Sequence, residues 1–245
     1  MSDLGLTPGE LRALRGLGSP HGVQRALDAM PYHHAGSAWS PRRVLREGTA
    51  HCLEGAVFAA VALRVLGRPP LLVDLEAVQD TDHVLCVYRT RGHWGAIAKS
   101  NFTGLRFREP VYRTVRELVM SYFEGYVNLR GDRTLRAFSL PVNLARFDRR
   151  RRGWMTSEGD LWWIAEHLVG VPHRRLLTPA MIDGLRRIDR RSLDAALVGQ
   201  QTKPHVPRSG HPRLEPAVRT SRRAEPRASR AGHPRLEPAA RTSLQ

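Results

Sequence analysis

The stretch GTAHCLEGAVFAAVALRVLG, residues 48–67, decides the fold and places one cysteine at the start of an otherwise almost entirely apolar segment. Residues 52–66 predict a helix that is covered on most sides, because only Glu54 and Arg64 interrupt its apolar character. Cys52 at the start of such a helix has two interpretations. It is either a nucleophile or one more small buried hydrophobe.

The chain before this segment predicts three short helices. Thr7, Pro8 and Glu10 form a capping-box pattern with proline at the first helical position. A similar start, with Ser followed by Pro, occurs at Ser19 and at Ser40. These three helices lead directly into the helix that begins with the cysteine.

After the cysteine helix the apolar pattern changes to that of β-strands. Gly67 ends the helix, and the two prolines that follow prevent its continuation. Residues rich in β-branched and aromatic types then predict strands at 71–78, 83–90 and 93–99. Arg91-Gly92 predicts a short hairpin between the last two strands.

Helical spacing returns in the second half of the folded region. It predicts helices within residues 112–128, 156–170, 178–190 and 191–199, the second of them capped by Thr156 or Ser157. The predicted fold class is therefore α+β, with helices before and after a small antiparallel sheet. We expect a single domain over residues 1–200, with a mainly helical extension at 111–200.

The positive charge is distributed unevenly along the chain. The net charge is +16, but residues 201–245 hold ten Lys or Arg and three Glu, so seven of these charges belong to the C-terminal tail. The tail repeats GHPRLEPAVRTS (210–221) as GHPRLEPAARTS (232–243), is poor in apolar residues, and is predicted to be disordered. The basic run RFDRRRRGW (146–154) and the tail together indicate nucleic acid or an acidic protein as an alternative partner.

Composition excludes several classes of protein. No run approaches the roughly 20 apolar residues of a membrane span, and the N-terminus is charged and amphipathic, so we expect a cytoplasmic protein with no membrane partner. Two cysteines, Cys52 and Cys86, form no disulfide framework and no zinc-ligand spacing. No cofactor and no metal site are expected, with the sequence YHH at residues 32–34 as the remaining candidate for metal binding. The oligomeric state is left open.

A cysteine at a helix start has the environment that a nucleophile needs. Backbone N–H groups and the positive end of the helix dipole favour the thiolate of Cys52. His83, at the start of the second predicted strand, is the best-placed general base. Cys86 lies three residues further along this strand, so its side chain points to the other face and is predicted to be core.

Residues 46–101 resemble the core of the transglutaminase-like superfamily, which has the papain-like cysteine fold. The resemblance rests on GTAHCLEGAVFAAVALRVLGRPPLLV followed by DHVLCVYRTRGHWGAI. It implies Cys52 as nucleophile, His83 as base, a hairpin Trp at Trp94 and an Asp that orients the histidine. The implied function is a cysteine hydrolase or acyltransferase that acts on an amide or thioester bond, with a peptide, amide or thioester as substrate.

The orienting residue departs from this pattern. Counting four residues from Trp94, where the family usually has Asp, gives Ala98, which cannot hold an imidazole. Asn101 is the predicted substitute, because a side-chain amide oxygen can accept a hydrogen bond from the imidazole N–H. His51 is a less favoured second base, since adjacent residues on a helix point about 100° apart. The alternative function is a non-catalytic binding or scaffold protein with this fold.

Overall fold

The structure of the protein, a computed structural model, describes residues 4–201. The helices in this range are α1 (Pro8–Gly16), α2 (Pro20–Ala29), α3 (Pro41–Glu47), α4 (Cys52–Val65), α5 (Val115–Met120), α6 (Trp162–Gly170), α7 (Pro179–Asp183) and α8 (Arg190–Ala196). The strands are β1 (Leu71–Ala77), β2 (His83–Thr90), β3 (His93–Ile97), β4 (Arg108–Tyr112), β5 (Leu135–Ser139), β6 (Val142–Asn143) and β7 (His173–Arg175). Apart from Gln201, the predicted tail lies outside the described residues.

The strands form one antiparallel sheet in the order β4-β3-β2-β1-β5-β7, with β6 also paired to β1. The α+β prediction is confirmed, and the sheet contains the three strands expected from the sequence. It is larger than expected, because β4 to β7 are added. Three of these added strands fall in the region predicted to be mainly helical, and they are only two to five residues long. Such short strands leave little alternation for a sequence pattern to reveal.

Local sequence signals explain how the helices begin. Thr7 caps α1 in a capping box with Glu10, and Ser19 and Ser40 cap α2 and α3 through their side chains. The sixth helix differs from its prediction. It begins at Trp162, because Thr156 ends a separate 3₁₀ turn and five residues lie between that turn and the helix.

Helix α4 packs on one face of the sheet, and a second apolar layer covers the other face. The side chains of α4 from Leu53 to Leu63 are buried, as the apolar sequence predicts. Alternation along β2 separates the two layers: Val84 and Cys86 belong to the α4 side, whereas Leu85 belongs to the layer on the opposite face. Cys86 is fully buried, and burial raises the pKa of its thiol well above the ordinary value.

A glycine sets how closely α4 approaches the end of β3. A Cβ added at Gly55 would lie 2.6 Å from Cβ of Lys99 and 3.6 Å from Leu27 Cδ2. We expect Gly55→Ala to lower the free energy of unfolding by about 1–3 kcal/mol, because two packed segments must separate. Chemical denaturation measures this change. Gly16→Ala, in open space at the end of α1, is the matched control and should be neutral or slightly stabilising.

The basic run is partly used for packing within the fold. Asp148 forms an ion pair with Arg64 of α4, and the guanidinium of Arg151 lies 5.3 Å from the ring centre of Trp163.

In residues 4–201 no helix combines the length and the apolar character that crossing a membrane requires.

Candidate functional site

The candidate site lies where α4 begins. Cys52 is the first residue of this helix, and its side chain is partly exposed. It lines a cavity of about 230 Å³ whose wall also includes His83 and Asn101. The three residues predicted from the sequence to be catalytic therefore share one cavity.

Two imidazoles contact the thiol of Cys52. Burial raises its pKa, but hydrogen bonds with His51 and with His83, together with the positive charge of an imidazolium beside the sulfur, lower it to about 5. The thiolate therefore predominates at neutral pH. The helix N-terminus acts in the same direction, because its unpaired N–H groups favour a negative charge.

His83 is oriented by a backbone carbonyl. Its Nε2 donates a hydrogen bond to the carbonyl oxygen of Leu105 at 3.0 Å, and Leu105 ends a short 3₁₀ turn after β3. This contact places the proton of a neutral ring on Nε2, so Nδ1 remains to accept the proton of the thiol. The geometry is that of a nucleophile and base pair with a third group holding the base.

His51 is oriented in the same manner by other groups. Its Nε2 lies 2.6 Å from the carbonyl oxygen of Ser37 and 3.4 Å from Oε1 of Glu54. The ring reaches Cys52 because His51 precedes the helix with extended backbone angles, so the 100° separation of neighbouring helical residues does not apply. Burial lowers its pKa, but the charge of Glu54 and the contact with Cys52 outweigh burial and raise it to about 9.

Glu54 is the buried anion at the base of the site, with a side chain that is 0% exposed. Four donors point at its carboxylate: Nδ1 of His33 at 2.8 Å, the Ser37 hydroxyl at 2.8 Å, and the backbone N–H groups of Trp39 at 3.0 Å and His51 at 3.1 Å. Burial raises the pKa of Glu54, but the charge of His51 and the hydrogen bond with His33 outweigh it, so the pKa lies below its usual range. The carboxylate stays ionised and balances the charge of His51.

Asn101 does not take the orienting role that the sequence predicted. Its amide nitrogen donates to the carbonyl oxygen of Gln201 at 2.9 Å, and its amide oxygen accepts from the N–H of the same residue at 2.9 Å. Ala98 is fully buried, and its backbone pairs through both N–H and C=O with the side chain of Gln24 in α2. Among the hydrogen bonds of residues 4–201, the group that accepts from Nε2 of His83 is the carbonyl oxygen of Leu105.

Two tyrosines complete the wall of the cavity. Burial raises the pKa of the Tyr32 hydroxyl, and the nearby backbone N–H of Cys52 partly offsets this rise. The ring of Tyr126 packs edge-on against His83 with 6.5 Å between ring centres, and its hydroxyl donates to the carbonyl oxygen of Thr81 at 2.9 Å. The Tyr32 hydroxyl therefore lies beside the backbone N–H of Cys52 at the start of α4.

A metal site is not formed by the histidines after Tyr32. His33 turns inward to Glu54, whereas His34 packs against the Tyr32 ring with 5.1 Å between ring centres. Within residues 4–201 no group of three or more His, Cys, Asp or Glu side chains is arranged to hold a metal ion. No protein-family model matches the chain, and no curated protein sequence matches it.

Sequence reasoning gave His51 only a less favoured role as second base and did not identify Glu54 as its partner. The signal was present, because His51, Cys52 and Glu54 stand within four residues, and a Glu at the third helical position commonly turns back toward the residue before the helix. Leu105 could not have been found, since its contribution is a carbonyl group that every residue type has.

Proposed function

We propose that the protein is a transglutaminase-like cysteine hydrolase or acyltransferase that acts on an amide or thioester bond. The observation that supports the proposal is the Cys52 thiol at a helix start, in contact with two oriented imidazoles inside a cavity. The resemblance of residues 46–101 supports the same function, because it selects Cys52 and His83 independently of the geometry. The papain-like identity of the fold is part of this proposal.

The proposed reaction has two halves. The Cys52 thiolate attacks the acyl carbon, the bond to the leaving group breaks, and the leaving group takes the proton that the thiol had given to an imidazole. His83 then takes a proton from water, and the water oxygen attacks the acyl carbon of the thioester on Sγ. The bond between the acyl carbon and Sγ breaks and the carboxylic acid departs. The proton taken from water remains on the imidazole, so the thiolate–imidazolium pair is restored. An amine in place of water gives acyl transfer.

The developing oxyanion needs donors near the nucleophile. The backbone N–H of Cys52 is one donor, and the Tyr32 hydroxyl lies near it. A substrate oxygen bound beside this N–H can also accept a hydrogen bond from the hydroxyl of Tyr32. Both groups are at the start of α4, where the helix dipole also favours negative charge.

The test is the capture of an acyl group on Cys52. The full chain is mixed with acetyl-capped peptide thioesters and the matching peptide amides, and intact-mass spectrometry with peptide mapping locates the added acyl group. We expect acylation at Cys52 and its complete loss in Cys52→Ala, because the alanine has no nucleophile. Released acid or an amide formed with added amine distinguishes hydrolysis from transfer.

Cys86→Ala provides the matched control, since this second cysteine is fully buried on the α4 side of the sheet. It should acylate as the wild type does. Absence of acyl-Cys52 with every donor, in a folded wild-type chain, would contradict the enzyme and favour a non-catalytic binding protein.

A further inference from the structure

The site contains more proton-carrying groups than a single Cys-His pair requires. Cys52 contacts His83 from β2 and His51 from the extended segment just before α4. Each ring has its Nε2 on a backbone carbonyl, of Leu105 and of Ser37 respectively, so both can direct Nδ1 to the same sulfur. The thiol has one proton to give, and therefore the two rings cannot have the same role.

The surroundings of the two rings differ in charge. Glu54 lies 3.4 Å from Nε2 of His51 and accepts its backbone N–H at 3.1 Å, so a carboxylate faces this ring directly. Nε2 of His83 faces an uncharged carbonyl. Asp80 and Asp82 also line the cavity beside His83, with Oδ2 of Asp80 on the hydroxyl of Thr134 and Oδ1 of Asp82 on the N–H of Ala77. Glu54, in contrast, faces the ring of His51 directly. Because a carboxylate in direct contact stabilises an imidazolium far more than a neutral acceptor does, the structure favours the positive charge on His51.

The other titratable groups around His51 do not reverse this preference. His33 stacks on it with 6.0 Å between ring centres and shares Glu54 through a 2.8 Å contact. Tyr32 and Tyr126, which border the thiol from other segments, are kept neutral because burial raises the pKa of each hydroxyl. Only Glu54 among these groups brings a negative charge against the imidazole.

We propose that His51, held by Glu54, is a second catalytic histidine: it keeps the proton of the thiol and pairs with the thiolate, while His83 handles the proton of water. This assignment rests on the proposed function. In the first half of the reaction His51 gives its proton to the leaving group. In the second half His83 takes a proton from water, and transfer of that proton to His51 as Sγ departs restores the starting pair.

The test measures the thiol without any acyl donor. The rate of alkylation of Cys52 by iodoacetamide is followed from pH 4 to 10 in the wild type, His51→Gln and His83→Gln, with peptide mapping to separate Cys86. We expect low-pH reactivity in the wild type, in line with a thiol pKa of about 5. At pH 6.5 His51→Gln should react about 10- to 100-fold more slowly, as its thiol approaches the ordinary pKa near 8.5. His83→Gln should stay within about threefold of the wild type.

Further variants keep the result interpretable. Glu54→Gln preserves an acceptor at the same place but removes the charge, so it should slow alkylation at pH 6.5 by an intermediate factor even if His51→Gln does not fold. His93→Gln, in the exposed hairpin, is the matched control and should leave the profile unchanged. The proposal is overturned if His83→Gln loses low-pH reactivity and His51→Gln keeps it, or if both lose it equally. Failure of the proposed function would appear separately, as absent acylation by thioesters with an unchanged alkylation profile.

Discussion

Glu54→Ala is expected to lower the free energy of unfolding by about 3–5 kcal/mol, the largest stability effect we predict for a single side chain of the site. The carboxylate is buried and accepts from two side chains and two backbone N–H groups. Removing it leaves the Ser37 hydroxyl and the N–H of Trp39 buried without their acceptor, and leaves the charge on His51 unbalanced. Urea denaturation monitored by tryptophan fluorescence measures the loss.

Two controls separate the buried anion from carboxylates in general. Glu47→Ala removes an exposed carboxylate that pairs with Arg46 at the end of α3, and should change stability by no more than about 0.5 kcal/mol. Glu54→Gln should be less damaging than Glu54→Ala, because the amide oxygen still accepts. A cost below about 1 kcal/mol for Glu54→Ala would show that the four contacts do not act as a network.

His83→Gln is expected to slow deacylation of Cys52 by about 10²- to 10⁴-fold, which is the range for loss of a general base. A glutamine can still donate to the carbonyl oxygen of Leu105, but it cannot take a proton from water. Because thioester acylation needs only the thiolate and an easily expelled leaving group, the acyl-enzyme should form and accumulate. Rapid-quench mass spectrometry with the peptide thioester follows both steps.

The matched control for this variant is again His93→Gln, whose imidazole contacts only the nearby backbone oxygen of Arg91 among the described hydrogen bonds. It should turn over at the wild-type rate. If His83→Gln deacylates as fast as the wild type, another group must activate the water, and His83 then has no role as base. Thermal unfolding of both variants should stay close to the wild type, because the hydrogen bond to Leu105 is preserved.

The central part of the fold was predictable because its signals are local and strong. Helix α4 is apolar over its whole length, and β1 to β3 combine β-branched residues with a tight hairpin at Arg91 and Gly92, both of which have positive φ. The strands added at the edges were not predictable. Residues 173–175, for example, are three polar or basic residues, and only pairing with β5 makes them a strand.

The candidate site was predictable only for side chains whose chemistry is distinctive. Cys52 and His83 stand out by residue type and position, and they share the cavity. Asn101 was selected because a side chain was sought for the third position, whereas the structure supplies a main-chain carbonyl. His51 was disfavoured by helical geometry, although a residue just before a helix has extended backbone angles and is not subject to it.

Asn101, at the rim of the cavity, contacts Gln201 through main-chain groups of Gln201 alone. One carboxamide engages both main-chain groups of a single residue, and the side chain of Gln201 reaches separately to the N–H of Tyr32 at 2.6 Å. Such a contact depends on the N–H and C=O groups of the backbone and not on the side chain of the residue that carries them. Asn101 therefore holds the main chain of residue 201 independently of the side chain at that position.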